Sequence, residues 1–263
     1  MEINYDRLIL GSNLPMTKNV EIHIPTIQEL TDSNDDKFSL FTRIFVTSVR
    51  EQFSGVPEEV DHVEEKFPTF WDMAFDKEMN ETVGQSMFGE GVDILSVLIH
   101  GIAYWTKTDV EQYRPLSNKK VINEELDWII DKEEFIRFSN AIRMITLSEQ
   151  NEDLIAPEGI SDKPHQCQVW KKLYAGRIRK LQRKPTKTLG DKILLLQALA
   201  PAFLPFSEVG AMTYYQFSNL LDTYEKRYAV ANEYQIFVSQ KFDTEKMKLT
   251  DLSEVVGQIR IKK

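Results

Sequence analysis

A chain of 263 residues suits one large domain or two modest ones, and its 42% hydrophobic and 11% aromatic content excludes a disordered protein. A formal net charge of −9 sets the molecule as a whole against nucleic acid and anionic membrane. The single cysteine, Cys167, excludes an internal disulfide framework and fits a reducing cytoplasm.

The opening MEINYDRLIL lacks the charged-then-apolar pattern of a signal peptide. NYDRLIL and NVEIHI have the alternating, β-branched character of strands, with GSNLP as turn chemistry between them, so a strand pair is expected within residues 1–25. Thr26 and Glu29 then form a capping box that starts a short helix. A second helix is predicted from Asp36 to about Ser48, with Phe38, Phe41, Phe45 and Val49 on one face.

Residues 57–93 change character. The acids from Glu58 to Asp93 face only Lys66 and Lys77, and Phe67, Phe70, Trp71, Met73, Phe75 and Met79 are interleaved with them. This reads as a solvated acidic face over an aromatic core, with Thr69 as an N-cap. Nothing there resembles a calcium loop. The apolar run VDILSVLIHGIAYWT, 92–106, reads as part helix and part strand, with His100 an interior, hydrogen-bonded histidine. VEQYRP and KKVIN can form a hairpin across LSN. Asp131 opens an amphipathic helix with Phe135, Phe138, Ile142 and Ile145 on its buried stripe.

The stretch 150–164 has Pro, Gly, acids and no periodicity, and it divides the chain into an N-terminal α+β region, 1–150, and a C-terminal helical region, 151–263. The predicted fold class is mainly α with a small β component. In the second region a helix over about 165–183 is expected to turn Trp170, Leu173, Tyr174, Ile178 and Leu181 inward. KILLLQALAPAFLPF, 192–206, is too short to span a membrane and reads as a buried helix that Pro201 ends or kinks. Its alternative is an exposed apolar groove for a client segment. FLPFSEVGAM reads as a loop, TDLSEVV as a short last helix, and IRIKK as a strand.

Signatures of catalysis are missing. His165 and Cys167 supply only two of the four ligands that a structural zinc needs, and a nucleophilic Cys167 would need a base and an activating environment that no sequence pattern displays. No phosphate-cradling loop or nucleophile elbow occurs. Neither a cofactor nor a metal is implied, and a scattered carboxylate pair is the only enzymatic alternative.

Charge is most lopsided at 170–192, where Lys171, Lys172, Arg177, Arg179, Lys180, Arg183, Lys184, Lys187 and Lys192 face Asp191 alone. Such a face can hold an acidic protein partner or phosphates. Equally, it can be a solvated face paired with residues 57–93 of the same molecule or of a neighbour in a homo-oligomer. MTYYQFSNLLDTYEKRYAVANEYQIFVSQKF, 212–242, follows, with Thr213 and Gln216 as a capping box and Met212 as its staple. Phe217, Leu220, Leu221, Tyr224, Tyr228, Ala231, Tyr234 and Val238 repeat at three and four residues along about 40 Å of helix. Tyrosine suits half-buried positions, so Tyr215, Tyr224, Tyr228 and Tyr234 join Lys171, Lys172, Arg179, Lys180 and Arg183 as candidate partner-binding residues.

Taken together, the N-terminal strand pair, IPTIQEL leading into DDKFSLFTRIFVTSV, the acidic aromatic middle, DKEEFIRFSNAIRMI and the C-terminal MTYYQFSNLLDTYEKRY resemble accessory proteins from the tail-morphogenesis modules of long-tailed phages and prophages of Gram-positive bacteria. The resemblance is to tail assembly chaperones and to other proteins at that gene position. It implies a non-enzymatic role in the host bacterial cytoplasm, coating the helical tape-measure protein and bringing tail-tube subunits to it. The net charge of −9 counts against a membrane or nucleic acid as the main partner. The alternative is a phage accessory protein that binds nucleic acid through 170–192.

Overall fold

The computed structural model describes residues 4–32, 35–183, 185–239, 241 and 243–261. Asn4 sets the first element: its side chain accepts from the Asp6 and Arg7 amides and starts α1 (Tyr5–Ile9), where alternation predicts a strand. The expected strand pair is present, but displaced. β1 (Leu14–Pro15) lies in the stretch read as a turn and pairs antiparallel with β2 (Glu21–Ile22).

Six helices follow. In the capping box of α2 (Ile27–Asp32), the Glu29 amide donates to Thr26 Oγ1 at 3.2 Å and the Thr26 amide to the Glu29 carboxylate at 2.8 Å. Next come α3 (Asp35–Val46), α4 (Val49–Phe53) and α5 (Val60–Lys66). Then α6 (Phe70–Ala74) begins at a second capping box, Thr69 with Asp72, and leads to α7 (Lys77–Phe88).

The whole of the apolar run 94–106 is one helix, α8 (Ile94–Thr106), and no part of it is strand. Burial on nearly every side hides the helical period in such a run, whereas the Asp93 cap, which accepts from the Ser96 amide, marks its start. His100 is exposed and not interior; Nδ1 lies 2.8 Å from the Ser96 carbonyl.

The hairpin forms as expected from β3 (Tyr113–Leu116) and β4 (Lys120–Asn123), and β5 (Trp128–Ile130) adds an unanticipated third antiparallel strand. Asp131 accepts from the Glu133 and Glu134 amides to open α9 (Lys132–Thr146), which buries Phe135, Phe138, Ile142 and Ile145. The C-terminal helices are α10 (Pro164–Gln182), α11 (Leu189–Leu199), α12 (Phe206–Ala211), α13 (Tyr214–Phe237) and α14 (Leu252–Val255). α12 occupies what reads as a loop, while 259–261 is not a strand and Lys262 and Lys263 lie outside the described residues.

One large core joins α3, α6, α7, α8, α9 and the three-stranded sheet, with Trp71, Trp105, Phe138 and Ile142 fully enclosed. The loop into α8 lies close on α7: a Cβ on Gly84 would stand 2.5 Å from the Val92 carbonyl oxygen. A second, smaller cluster holds Ile27, Leu30, Leu196, Val209 and Phe217. A third holds Val60, Ala156, Ile160, Cys167 and Trp170, so the stretch around 156–160 packs against α5 and α10.

That third cluster is fixed by polar contacts. Arg50 reaches Asp61 at 2.5 Å, Glu64 at 2.6 Å and the carbonyls of Ala156 and Pro157. Burial opposes ionisation of Asp61, but the Ser161 amide, Arg50 and the Gly159 amide outweigh it and hold the carboxyl well below the usual range. Among the described residues, no helix is long and apolar enough to cross a membrane.

Candidate protein-interaction surface

α10 is anchored at one end only. Cys167 Sγ donates to the Ile160 carbonyl, and Trp170 Nε1 donates to the Ser54 carbonyl at 2.7 Å. Burial pushes the Cys167 thiol up, away from the thiolate that nucleophilic or metal chemistry needs. Arg177 lies over the Trp170 ring at 5.4 Å and donates to the Asp153 carbonyl.

Past this anchor the helix turns to solvent. Leu173 and Leu181, expected to point inward, are 49% and 42% exposed, whereas Trp170 and Tyr174 of the same stripe pack on the third cluster. Lys171 is already engaged, with Glu58 at 2.7 Å, which joins the basic helix to the acidic region of the same molecule. Lys172, Arg179, Lys180 and Arg183 are exposed, and among the described residues they form no ion pair. Lys184 lies outside the described residues.

α13 is likewise of two kinds. Its start is as the capping box dictates: the Gln216 amide donates to Thr213 Oγ1, and the Thr213 amide to the Gln216 side chain at 2.9 Å. Phe217 is buried and Tyr224 packs on the second cluster. Tyr215 must be removed from the partner-binding set. Its ring is fully buried, its hydroxyl donates to the Ile259 carbonyl at 2.8 Å, and burial pushes its pKa up to about 12.

The second half of α13 loses this cover. Tyr228 and Tyr234 are exposed, as are Ile236, Phe237 and Val238. Gln240 and Phe242 lie outside the described residues.

A further exposed apolar feature falls within 192–206, which the sequence presents as a buried helix. Only Leu196 of α11 is fully enclosed, and Leu194 is 62% exposed. The helix does end before Pro201, as expected. Gln197 then clasps both the amide and the carbonyl of Leu204, which holds the intervening loop outward. Phe203 and Phe206 meet edge to face at 6.2 Å, and both are exposed. Their signal in the sequence is the pair Pro201 and Pro205: a helix broken twice within five residues cannot bury one continuous stripe.

Elsewhere the titratable groups serve the fold. Burial opposes ionisation of Glu29, but Lys107, the Thr26 amide and His23 together hold its pKa down to about 2. Among the described residues no three metal-ligating side chains come together.

Large exposed apolar side chains on a helix are suited to holding another protein chain. No family model, curated protein or solved structure matches this chain.

Proposed function

We propose that the protein is a non-enzymatic tail-assembly protein of a phage or prophage, acting by protein–protein binding in the host bacterial cytoplasm. Its client is a long helical protein of the tape-measure kind, held in a soluble form while tail-tube subunits are brought to it. The observation that carries this reading is the second half of α13, where Tyr228, Tyr234, Ile236 and Phe237 are exposed to solvent, with Val238 exposed just past its end. An amphipathic client helix can lay its apolar face on such a surface. The cations of α10 suit acidic positions on the same client, and the net charge of −9 favours solubility of the complex. The resemblance to tail assembly chaperones supplies the biological setting.

Co-expression with the long helical protein encoded nearest to it tests the idea. The client is expected to move from the insoluble to the soluble fraction and to co-purify. Combined Tyr228→Ser, Tyr234→Ser and Phe237→Ser should abolish both effects. No complex with the wild-type chain would sink the proposal.

A second reading rests on Arg179, Lys180 and Arg183, which are exposed without ion pairs among the described residues. In that reading α10 holds nucleic acid through phosphate contacts. It predicts retention on single- or double-stranded DNA that falls steeply with salt and is lost in Arg179→Glu, Arg183→Glu.

A further inference from the structure

A cleft between α3, the end of α9 and the start of α11 belongs to neither surface described above. Its volume of ≈ 420 Å³ is in the range of small-molecule sites, and it opens where the large core meets the C-terminal helices.

The walls divide by chemistry. Phe38, Leu189 and the ring of Tyr214 supply apolar area, with the Phe38 and Tyr214 rings 5.0 Å apart. Lys187 and Lys192 supply positive charge, and neither forms an ion pair among the described residues. No carboxylate among the described residues lines the space. Arg43 stands at the edge but is committed elsewhere, donating to the Met87 carbonyl and lying over the Phe88 ring.

Two further observations point to an anionic oxygen as the occupant. First, α11 runs for 11 residues and starts at this cleft. Its capping box commits Asp191 to the Thr188 amide and hydroxyl, so the first-turn amides of Leu189 and Gly190 remain as donors at the positive end of the helix. Second, Thr42 lines the cleft, is only 8% exposed, and its hydroxyl has no hydrogen-bond partner. The Oγ1 atom is itself closed to solvent, so a ligand oxygen reaches it only after a small side-chain adjustment, and that pairing would then remove the cost of an unmet buried hydroxyl.

We propose that this cleft binds a small organic anion: a phosphate or carboxylate head carried on an aromatic or short aliphatic body. The head sits at Lys187, Lys192 and the first turn of α11, and the body packs on Phe38, Leu189 and Tyr214. The site is separate from the α13 surface, so either can fail without the other.

Amide NMR of the full chain titrated with phenyl phosphate tests the assignment. Saturable shifts are expected at Thr42, Leu189, Gly190 and Lys192, with phenol and inorganic phosphate each binding more weakly than the combined molecule. Lys187→Glu with Lys192→Glu should weaken affinity by at least about tenfold, since the charge-assisted contacts to the anionic head are lost and reversed. Thr42→Val, which keeps shape and charge, should weaken it by about three- to tenfold. The proposal is overturned if binding does not saturate by about 10 mM, a generous limit for a site that supplies even weak specific contacts. It is equally overturned if the shifts fall on the α10 cations, if inorganic phosphate binds as well as phenyl phosphate, or if the double lysine variant binds unchanged.

Discussion

The region before α10 and the region from α10 onward use their apolar residues in opposite ways. Before α10, aromatic and aliphatic side chains converge on one large core, with Trp71, Trp105 and Phe138 enclosed. From α10 onward few large apolar side chains are fully enclosed and many stay in solvent, among them Leu194, Phe203, Tyr228 and Phe237. The hydrophobic residues of both regions look alike in the sequence, so their number does not determine burial. Neighbouring elements do: α8 is covered by α3, α6 and α7, whereas α10 is held chiefly through its first half.

The sharpest way to break this comparison is to remove a large side chain from each region. Phe138→Ala should cost about 3–5 kcal/mol in chemical denaturation, as expected for a ring deleted from a closed core. Phe217→Ala, in a cluster of few residues that borders solvent, should cost about 2–3 kcal/mol, because the site can relax. Equal costs would mean that the two regions are equally closed.

Arg50 ties the regions together. Arg50→Ala leaves Asp61 and Glu64 side by side without their cation and releases the Ala156 and Pro157 carbonyls. A loss of about 2–4 kcal/mol is expected, since breaking a largely buried pair strands the remaining charge. Faster proteolysis around 156–160 would show that the junction has opened.

Acid should act at the same junction through Asp61, and at the start of α2 through Glu29. Asp61 and Glu29 both titrate below their ordinary range in the folded protein. Their stabilising effect is therefore complete at neutral pH and is lost as the pH falls from the ordinary carboxylate range toward 2. Thermal midpoints measured across that window should drop, and Arg50→Ala should flatten the part of the slope that Asp61 supplies.

Thr213→Ala removes the cap of α13 and should cost about 1 kcal/mol. Smallest of all, Tyr228→Ser with Tyr234→Ser should leave stability within about 0.5 kcal/mol, because neither ring is enclosed. A larger loss would show that the exposed half of α13 has a partner within its own fold.

Capping chemistry was the most legible part of the chain. Thr26, Thr69, Asp131 and Thr213 each mark a helix start from three or four residues, and each does so in the structure. Asn4 is the same signal, obscured by the alternation of NYDRLIL. Where burial alone had to decide, the sequence was ambiguous. The 94–106 helix is apolar on nearly all sides, and KILLLQALAPAFLPF reads as core although its end is exposed. Of the candidate surface, Tyr228, Tyr234, Arg179, Lys180 and Arg183 could be named from spacing, while Tyr215 could not be separated from them. Its fate depends on residues 259–261, which no local pattern brings to it.

That last contact shapes how the chain reaches its folded state. Tyr5 donates to the Ile261 carbonyl across 256 positions, Gln258 reaches Asp6, and the Ile259 amide and carbonyl bind Asn219 and Tyr215. Closing so long a loop is entropically slow, and it cannot begin on the ribosome until residue 261 has been made. The Tyr215 hydroxyl therefore waits without its native acceptor until residue 259, 44 positions later, has been made. The large core can assemble first, and α13 is locked to α1 only when residues 258–261 bind both of them.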